Sequence, residues 1–249
     1  MTSPGSPRGE RSSTLSQALL DPLLNRDPVG PRITYYDDAT GERIELSTVT
    51  LANWAAKTAN LLRDELGAGP HNRIAVLLPA HWQTAAVLLG IWYIGAEVVL
   101  GPGEADVALC TGDRLADADA AVGTGEIAVL SLDPFGKAAA DVPVGVTDYA
   151  TSVRAHGDQI VPEPQPGPAL DGRSIVDILT AATESAATQG FTADDRVLST
   201  ATWDSPDELI DNLLAPLAAG ASLVQVANPE EARLDHRRET EKVTKTLMG

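Results

Sequence analysis

The chain has 249 residues, of which 43% are hydrophobic; this is enough apolar material for a packed core and excludes wholesale disorder. Its formal charge of −17 and pI near 4.4 make nucleic acid and anionic membrane surfaces poor partners, because a field of that sign repels both. A single cysteine, Cys110, excludes an internal disulfide, and its apolar neighbours favour a buried thiol rather than a nucleophile.

The N-terminal part of the sequence predicts a tail, a helix, a hairpin and a second helix. The polar, Pro/Gly-rich residues 1–13 favour a disordered tail, which is followed by a short amphipathic helix at residues 15–24. β-Branched and aromatic residues on both sides of the turn residues 37–41 indicate a β-hairpin. Ser47 can cap the next helix, whose apolar residues recur at helical spacing until Gly67 ends it.

The middle of the chain alternates apolar strands with a buried helix. Residues 74–78 form a continuous apolar run, which is typical of a strand buried on both faces. Residues 81–94 are apolar nearly all round, and this predicts a helix packed inside the fold. Further strand-like runs follow at residues 98–100, 107–110 and 127–132.

A proline-rich segment interrupts this pattern at residues 162–168. Four prolines in seven residues remove backbone donors, so the segment is predicted to be a linker or an extended loop. Beyond it Ser174 caps a helix that Gly190 ends. The remaining predicted elements are a strand at 196–200, a helix from Ser205 towards Gly220 and a strand at 222–226. This alternation predicts an α/β fold with mainly parallel sheets.

The expected location is the cytoplasm. Residues 1–11 carry no apolar signal region, and the longest apolar stretch, residues 85–96, is shorter than a bilayer span. The one local basic stretch, residues 233–238, also contains Asp235 and is interpreted as a solvated helix face. The expected partners therefore exclude nucleic acid and membrane.

Six stretches carry a resemblance when taken in order. They are residues 33–37 (ITYYD), 41–47 (GERIELS), 72–79 (NRIAVLLP), 89–99 (LGIWYIGAEVV), 195–198 (DRVL) and 213–224 (LLAPLAAGASLV). Together they resemble the N-terminal domain of the adenylate-forming superfamily, which includes acyl-CoA synthetases, luciferases and peptide-synthetase adenylation domains. The resemblance implies a three-layer α/β domain with mainly parallel sheets over residues 14–249. Lobes 14–155 and 172–249, joined by the proline-rich segment, are an alternative division.

The sequence departs from the family where the family binds phosphate. A Thr/Ser/Gly-rich loop with a lysine would precede the helix at Ser174, but the proline-rich segment stands there. The family's Tyr-Gly-x-Thr-Glu strand, ribose-binding aspartate and lid-domain lysine would lie beyond the sequence, which therefore resembles about the first half of the enzyme. A short actinobacterial family has this shape, and the chain is similar to it. We expect no catalytic residues.

Gly172, Arg173 and Ser174 are the candidate cofactor-binding residues. With Gly167 they fit the spacing of a phosphate-binding loop, with arginine in place of lysine, and the helix beginning at Ser174 offers its N-terminal amides. The alternative is an ordinary capped helix, because Pro168 lacks a donor and no apolar strand precedes the loop.

Trp203 and Asp204 are the candidate substrate-binding residues. Residues 199–204 resemble the F-D-x-S segment of amino-acid-adenylating members, whose aspartate holds the substrate's amino group. Asp204 follows a strand and precedes a helix, the place where open α/β sheets bind ligands. The alternative is a turn before the Ser205 cap, with Trp203 packed in the core.

No metal site or nucleophile signature is expected, because the histidines are widely separated. The expected function is a non-catalytic relative of acyl-CoA synthetases that binds a small acyl, aminoacyl or nucleotide ligand, or a protein partner. One alternative is half of a split or remodelled ATP-dependent acid-activating enzyme, which would use ATP or AMP with Mg²⁺. The other is a purely structural homodimeric module.

Overall fold

The computed structural model describes residues 13–101 and 103–247 of the chain. The strands are β1 (Pro31–Asp37), β2 (Glu42–Ser47), β3 (Arg73–Leu77), β4 (Glu97–Val99), β5 (Val107–Thr111), β6 (Glu126–Leu130), β7 (Thr147–Asp148), β8 (Arg196–Ser199), β9 (Ser222–Ala227) and β10 (Lys245–Leu247). The helices are α1 (Leu15–Arg26), α2 (Thr48–Asp64), α3 (Trp82–Tyr93), α4 (Leu115–Val122), α5 (Tyr149–Ser152), α6 (Ile175–Gln189), α7 (Pro206–Leu209), α8 (Ala215–Ala219) and α9 (Glu231–Thr240). A π-helical segment, Ile210–Leu214, connects α7 to α8.

The strands of the described residues form two five-stranded sheets. Sheet A has the order β10-β8-β9-β1-β2, and sheet B has the order β4-β3-β5-β6-β7. The pairings between these strands are parallel except in the β1–β2 hairpin. The predicted α/β fold with mainly parallel sheets is therefore confirmed.

Each sheet is covered on both faces, because strand residues alternate between two apolar clusters. In β3, Ile74 and Val76 belong to the large central core, whereas Ala75 and Leu77 pack with α4 on the outer face of sheet B. Sheet A has a separate outer cluster that includes Leu234 of α9. The central core also contains residues of α1, α2, α3 and α6, so it joins the inner faces of both sheets.

Most predicted elements are confirmed, including the hairpin, the α2 helix capped by Ser47 and the α6 helix capped by Ser174. The predicted tail at residues 1–13 lies, except for residue 13, outside the described residues. Helix α4 was not predicted, since its alternating alanines and aspartates give no continuous apolar stripe. The predicted burial of Cys110 is confirmed, and burial raises the pKa of its thiol to about 11.

The basic stretch 233–238 lies in α9, but its interpretation as a solvated face is wrong for Arg237. This side chain is buried, pairs with the carboxylate of Asp38 and lies 4.3 Å from the ring centre of Tyr36. The helix therefore uses a charged residue to dock on sheet A. None of the helices in the described part of the chain is long and apolar enough to cross a membrane.

The proline-rich segment is an extended loop that is hydrogen-bonded to the turn between α3 and β4. The Glu163 N–H donates to Tyr93 O at 3.0 Å, and the Val98 N–H donates to Ala169 O at 3.0 Å. Sheet A combines strands from both sides of this loop. The division into lobes 14–155 and 172–249 stays a prediction.

Candidate functional site

A cleft of about 1040 Å³ opens at the carboxyl ends of strands from both sheets. Sheet A supplies residues that end β1 and β9, and sheet B supplies residues that follow β3 and β6. Ligands of parallel α/β folds bind beyond this edge of the strands. The volume is at the upper end of the range for small-molecule sites. Its position and size make this cleft the candidate functional site.

His81 lies in the wall of the cleft, where it caps the N-terminus of α3. Its Nδ1 accepts a hydrogen bond from the Gln83 N–H at 3.1 Å. The side chain is only 2% exposed, and this burial lowers the pKa of the imidazole. A neutral ring whose Nδ1 is an acceptor carries its proton on Nε2. The edge of the ring packs on Tyr35, with ring centres 4.3 Å apart.

Glu42, at the start of β2, faces this imidazole. Its side chain is 8% exposed, and its Oε1 lies 3.7 Å from His81 Nε2. Both atoms are buried and neither has a hydrogen-bond partner. The distance is too long for a hydrogen bond between them. The wall of the cleft therefore contains a covered donor and a covered acceptor, 3.7 Å apart, that have no partner in the fold.

The remaining walls are apolar with an acidic balance of charge. Apolar surface comes from a set of side chains on both sides of the cleft, namely Tyr35, Ile44, Leu132, Pro134 and Phe135. Besides Glu42, the acids Asp37 and Asp133 line the cleft, together with the bases Arg43 and Lys137. Burial opposes ionisation of Asp37, but hydrogen bonds from Asn228 and from the Ala39 N–H hold its pKa below the usual value.

Arg43 does not neutralise Glu42, because its guanidinium is engaged elsewhere. It donates to Glu241 Oε1 at 2.9 Å and to Glu45 Oε2 at 2.8 Å. These carboxylates compensate the arginine charge. Arg43 therefore forms its ion pairs with Glu241 and Glu45 and not with Glu42.

The predicted cofactor-binding residues Gly172, Arg173 and Ser174 lie at the N-terminus of α6, away from the cleft. Within residues 167–174 every backbone N–H is hydrogen-bonded inside the chain. Those of Gly167, Ala169, Leu170, Asp171, Gly172, Arg173 and Ser174 donate respectively to Gly95 O, Arg173 O, Arg173 O, Val98 O, Glu97 Oε1, Leu170 O and Asp177 Oδ2. Pro168 has no N–H to offer. The segment thus presents no unused amide to an anion.

The two predicted substrate-binding residues have different environments. Trp203 is buried, with its Nε1 unpartnered, whereas Asp204 is exposed and its N–H donates to Glu208 Oε2 at 2.9 Å. Arg173 Nη1 lies 4.0 Å from Asp207 Oδ1, so the Arg173 side chain reaches the first turn of α7. Neither group of predicted residues lines the cleft. Their binding roles stay predictions.

Sequence reasoning missed Glu42 and His81 as a pair. The sequence predicts a buried helix at residues 81–94 but no partner for His81, because Glu42 lies in β2 of sheet A, far away in sequence from the helix that follows β3 of sheet B. The sequence signal that could have indicated this site is a histidine directly before a helix that is apolar on all sides. In the described ranges 13–101 and 103–247, no group of three or more His, Cys, Asp or Glu residues could hold a metal ion.

Comparisons with known proteins place these features in context. No family model matches the sequence. A TIGR03089 family protein of Mycobacterium tuberculosis is 70% identical over 239 residues, which cover 94% of this chain and 98% of that protein. Among solved structures, a Brucella canis acyl-CoA synthetase matches 97% of the chain with a TM-score of 0.78 and 18% identity. A benzoate CoA ligase from Burkholderia xenovorans matches 94% with a TM-score of 0.72 and 18% identity. The chain spans 48% and 49% of these two structures, and the likeness shows a shared fold.

Proposed function

The chain belongs to the TIGR03089 family, and we propose that it is a non-catalytic relative of the acyl-CoA ligases that binds a small molecule in the cleft of Glu42 and His81. Two parts of the proposal rest on different regions. The segment 167–174 supports the absence of adenylation, and the cleft supports the binding of a ligand.

The single observation that carries the non-catalytic part is the hydrogen bonding of residues 167–174. Acid activation with ATP requires donors and positive charge aimed at the phosphates. Here the Gly172 N–H donates at 2.7 Å to Glu97 Oε1, so a carboxylate of the chain already engages this amide. Burial raises the pKa of neighbouring Asp171, and the charge of Glu97 adds to that rise. This crowding of acids opposes the binding of a triphosphate.

The cleft supports the binding part because its polar atoms are unsatisfied. A buried donor or acceptor without a partner costs about 1–3 kcal/mol. A ligand that pairs with both His81 Nε2 and Glu42 Oε1 would offset these costs. Buried polar groups without a partner are rare in native folds, and a bound ligand is one explanation for a pair of them in the wall of a cleft.

The test of the non-catalytic part combines a binding and an activity measurement. Thermal unfolding is measured with and without millimolar ATP and Mg²⁺, and pyrophosphate exchange is measured with a panel of aromatic and aliphatic acids. We expect no stabilisation and no exchange. A ligand present at 100 times its Kd would stabilise the folded chain by about 2.7 kcal/mol. Stabilisation of that size, accompanied by exchange, would contradict the proposal.

The same experiment separates the alternatives. Exchange that appears only after a second protein is added would support half of a split enzyme. ATP binding that is lost in the Arg173→Ala variant would support a remodelled nucleotide site at Gly172, Arg173 and Ser174. The homodimer is a proposal about assembly, and the molecular mass measured by light scattering tests it.

A further inference from the structure

Resting on the proposed ligand site, we infer that the cleft takes a neutral, hydroxyl-bearing molecule with an apolar body. One hydroxyl group of this molecule sits between His81 Nε2 and Glu42 Oε1. The inference rests on the hydrogen-bonding capacities of these two atoms, the charges around them and the lining of the cleft.

The two atoms require opposite kinds of hydrogen-bond partner: His81 Nε2 needs an acceptor and Glu42 Oε1 needs a donor. His81 Nδ1 already accepts from the Gln83 N–H, so the neutral ring can only donate, through Nε2. The Glu42 carboxylate can only accept. A hydroxyl oxygen accepts one hydrogen bond and donates another from a single atom. Two hydrogen bonds of ordinary length to one oxygen can bridge the 3.7 Å between Nε2 and Oε1. Because both atoms are covered in this structure, the hydroxyl must displace the side chains that cover them.

Charged ligand groups meet only half of this requirement. A carboxylate or phosphate oxygen accepts from His81, but it cannot donate to Glu42. The three acids that line the cleft also outnumber its two bases, of which Arg43 is already paired with Glu241, so the charge balance disfavours an anion. An ammonium group donates to Glu42 but has no acceptor for the His81 Nε2–H. The acids that the CoA ligases of this fold are named for are therefore disfavoured here.

The rest of the ligand is expected to be apolar. Beyond the polar pair the cleft is walled by Tyr35, Leu132, Pro134 and Phe135. Phe135 is 80% exposed, so its ring is available to cover a bound molecule. Sites lined by aromatic and aliphatic side chains with a few polar groups hold small organic molecules.

Three probes with the same ring test the ligand class: benzyl alcohol, benzoate and benzylamine. Binding is measured by the shift of the His81 ring signals in ¹H–¹³C NMR spectra. These signals are assigned by their absence from the spectrum of the His81→Asn variant. We expect benzyl alcohol to move these signals with an affinity about tenfold higher than that of benzoate, which corresponds to the loss of one hydrogen bond to a charged group.

The Glu42→Gln variant tests the role of charge. Its amide keeps an acceptor oxygen but removes the repulsion, so the preference for the alcohol over benzoate should fall to about threefold or less. The matched control is Glu126→Gln, which removes one exposed carboxylate at the start of β6 and should leave the preference unchanged. If Glu42→Gln failed to fold, the ranking of the three probes on the wild-type chain would still decide.

The outcomes separate the ligand class from the site. If benzoate or benzylamine moved the His81 signals with higher affinity than the alcohol, the cleft would remain a ligand site and the hydroxyl inference would be wrong. If none of the probes moved these signals, both the inference and the cleft as the proposed binding site would be overturned. An unchanged preference in Glu42→Gln would also overturn the role given to Glu42.

Discussion

Two buried carboxylates at sheet A, those of Glu241 and Glu42, differ in their hydrogen-bond partners. The Glu241 side chain is 6% exposed and accepts from Tyr36 Oη at 2.5 Å, from Arg43 at 2.9 Å and from Arg196. Burial alone would raise its pKa, but hydrogen bonds from Tyr36, Arg196 and Arg43 lower it to about 2. The Glu42 side chain is 8% exposed, and its Oε1 has no partner.

This difference distinguishes Glu241, a carboxylate whose charge serves the fold, from Glu42, a carboxylate that we propose binds a ligand. Glu241 follows α9 and ties the end of that helix to β1, β2 and β8, so its partners all belong to the fold. Glu42 lies in the wall of a cleft beside a neutral histidine, and its covered Oε1 has no partner in the fold. A buried carboxylate that the fold itself satisfies stabilises the structure, whereas one that the fold leaves unsatisfied is available to a ligand.

The largest effect that tests this comparison is expected for Glu241→Gln. Removing the carboxylate leaves the guanidinium of Arg196, which is 13% exposed, with only the more distant carboxylate of Glu45 at 3.9 Å. Breaking such a pair costs about 3 kcal/mol. Urea unfolding at pH 7 measures the loss, with Glu239→Gln, an exposed change on the same helix, as the control. A loss no greater than that of the control would show that Glu241 is not the structural charge described here.

Glu42→Gln should raise the free energy of unfolding, whereas Glu241→Gln should lower it. An amide costs less to bury than a carboxylate without a partner, so we expect a gain of about 1 kcal/mol in the free energy of unfolding. The same urea titration at pH 7 measures it. A loss comparable to that of Glu241→Gln would mean that Glu42 has a structural role and would remove the contrast between the two sites.

The pH dependence of stability sharpens the contrast further. Burial lowers the pKa of His81 below its ordinary value of 6.5, against the opposing effect of Glu42 and Asp37. The unfolded chain then binds a proton more readily, so stability falls as the pH drops through 6.5 towards the folded pKa. The His81→Asn variant keeps an N-cap but does not titrate. Its free energy of unfolding should change less than that of the wild type between pH 7.5 and 5.5, and equal slopes would exclude His81 as the source.

Glu241 titrates in a different window, so the two sites can be distinguished. Its folded pKa of about 2 lies below the ordinary 4.5, and its stabilising contribution is present above pH 4.5 and is lost as the pH falls towards 2. The His81 effect is confined to higher pH. Unfolding curves at pH 7.5, 5.5 and 3 therefore separate the binding site from the structural site.

Local sequence signals predicted most helices and strands but not the candidate site. Helix α6 follows from Ser174, Gly190 and an apolar stripe, all of which act within a few residues. The Glu42–His81 pair depends on the approach of two sheets, which no spacing in the sequence encodes. The hydrogen bond from Gly172 to Glu97 is likewise a tertiary contact, so the sequence could show the lack of a phosphate loop but not what replaces it.

The smallest effect on stability is expected from a substitution of Arg173. This residue carries a partly exposed charge, in contrast to the buried carboxylates of Glu241 and Glu42. Its side chain is 36% exposed, and its nearest acid, Asp207, is 93% exposed and 4.0 Å away. Such surface pairs contribute about 0–1 kcal/mol, and the long distance places this one at the low end. Arg173→Ala should therefore change the urea midpoint little and leave the response to ATP and Mg²⁺ unchanged. Stabilisation of the wild type by ATP that disappears in this variant would place the ligand site at Arg173 instead of Glu42. An arginine at a helix N-terminus attracts anions, whereas the acidic cleft repels them.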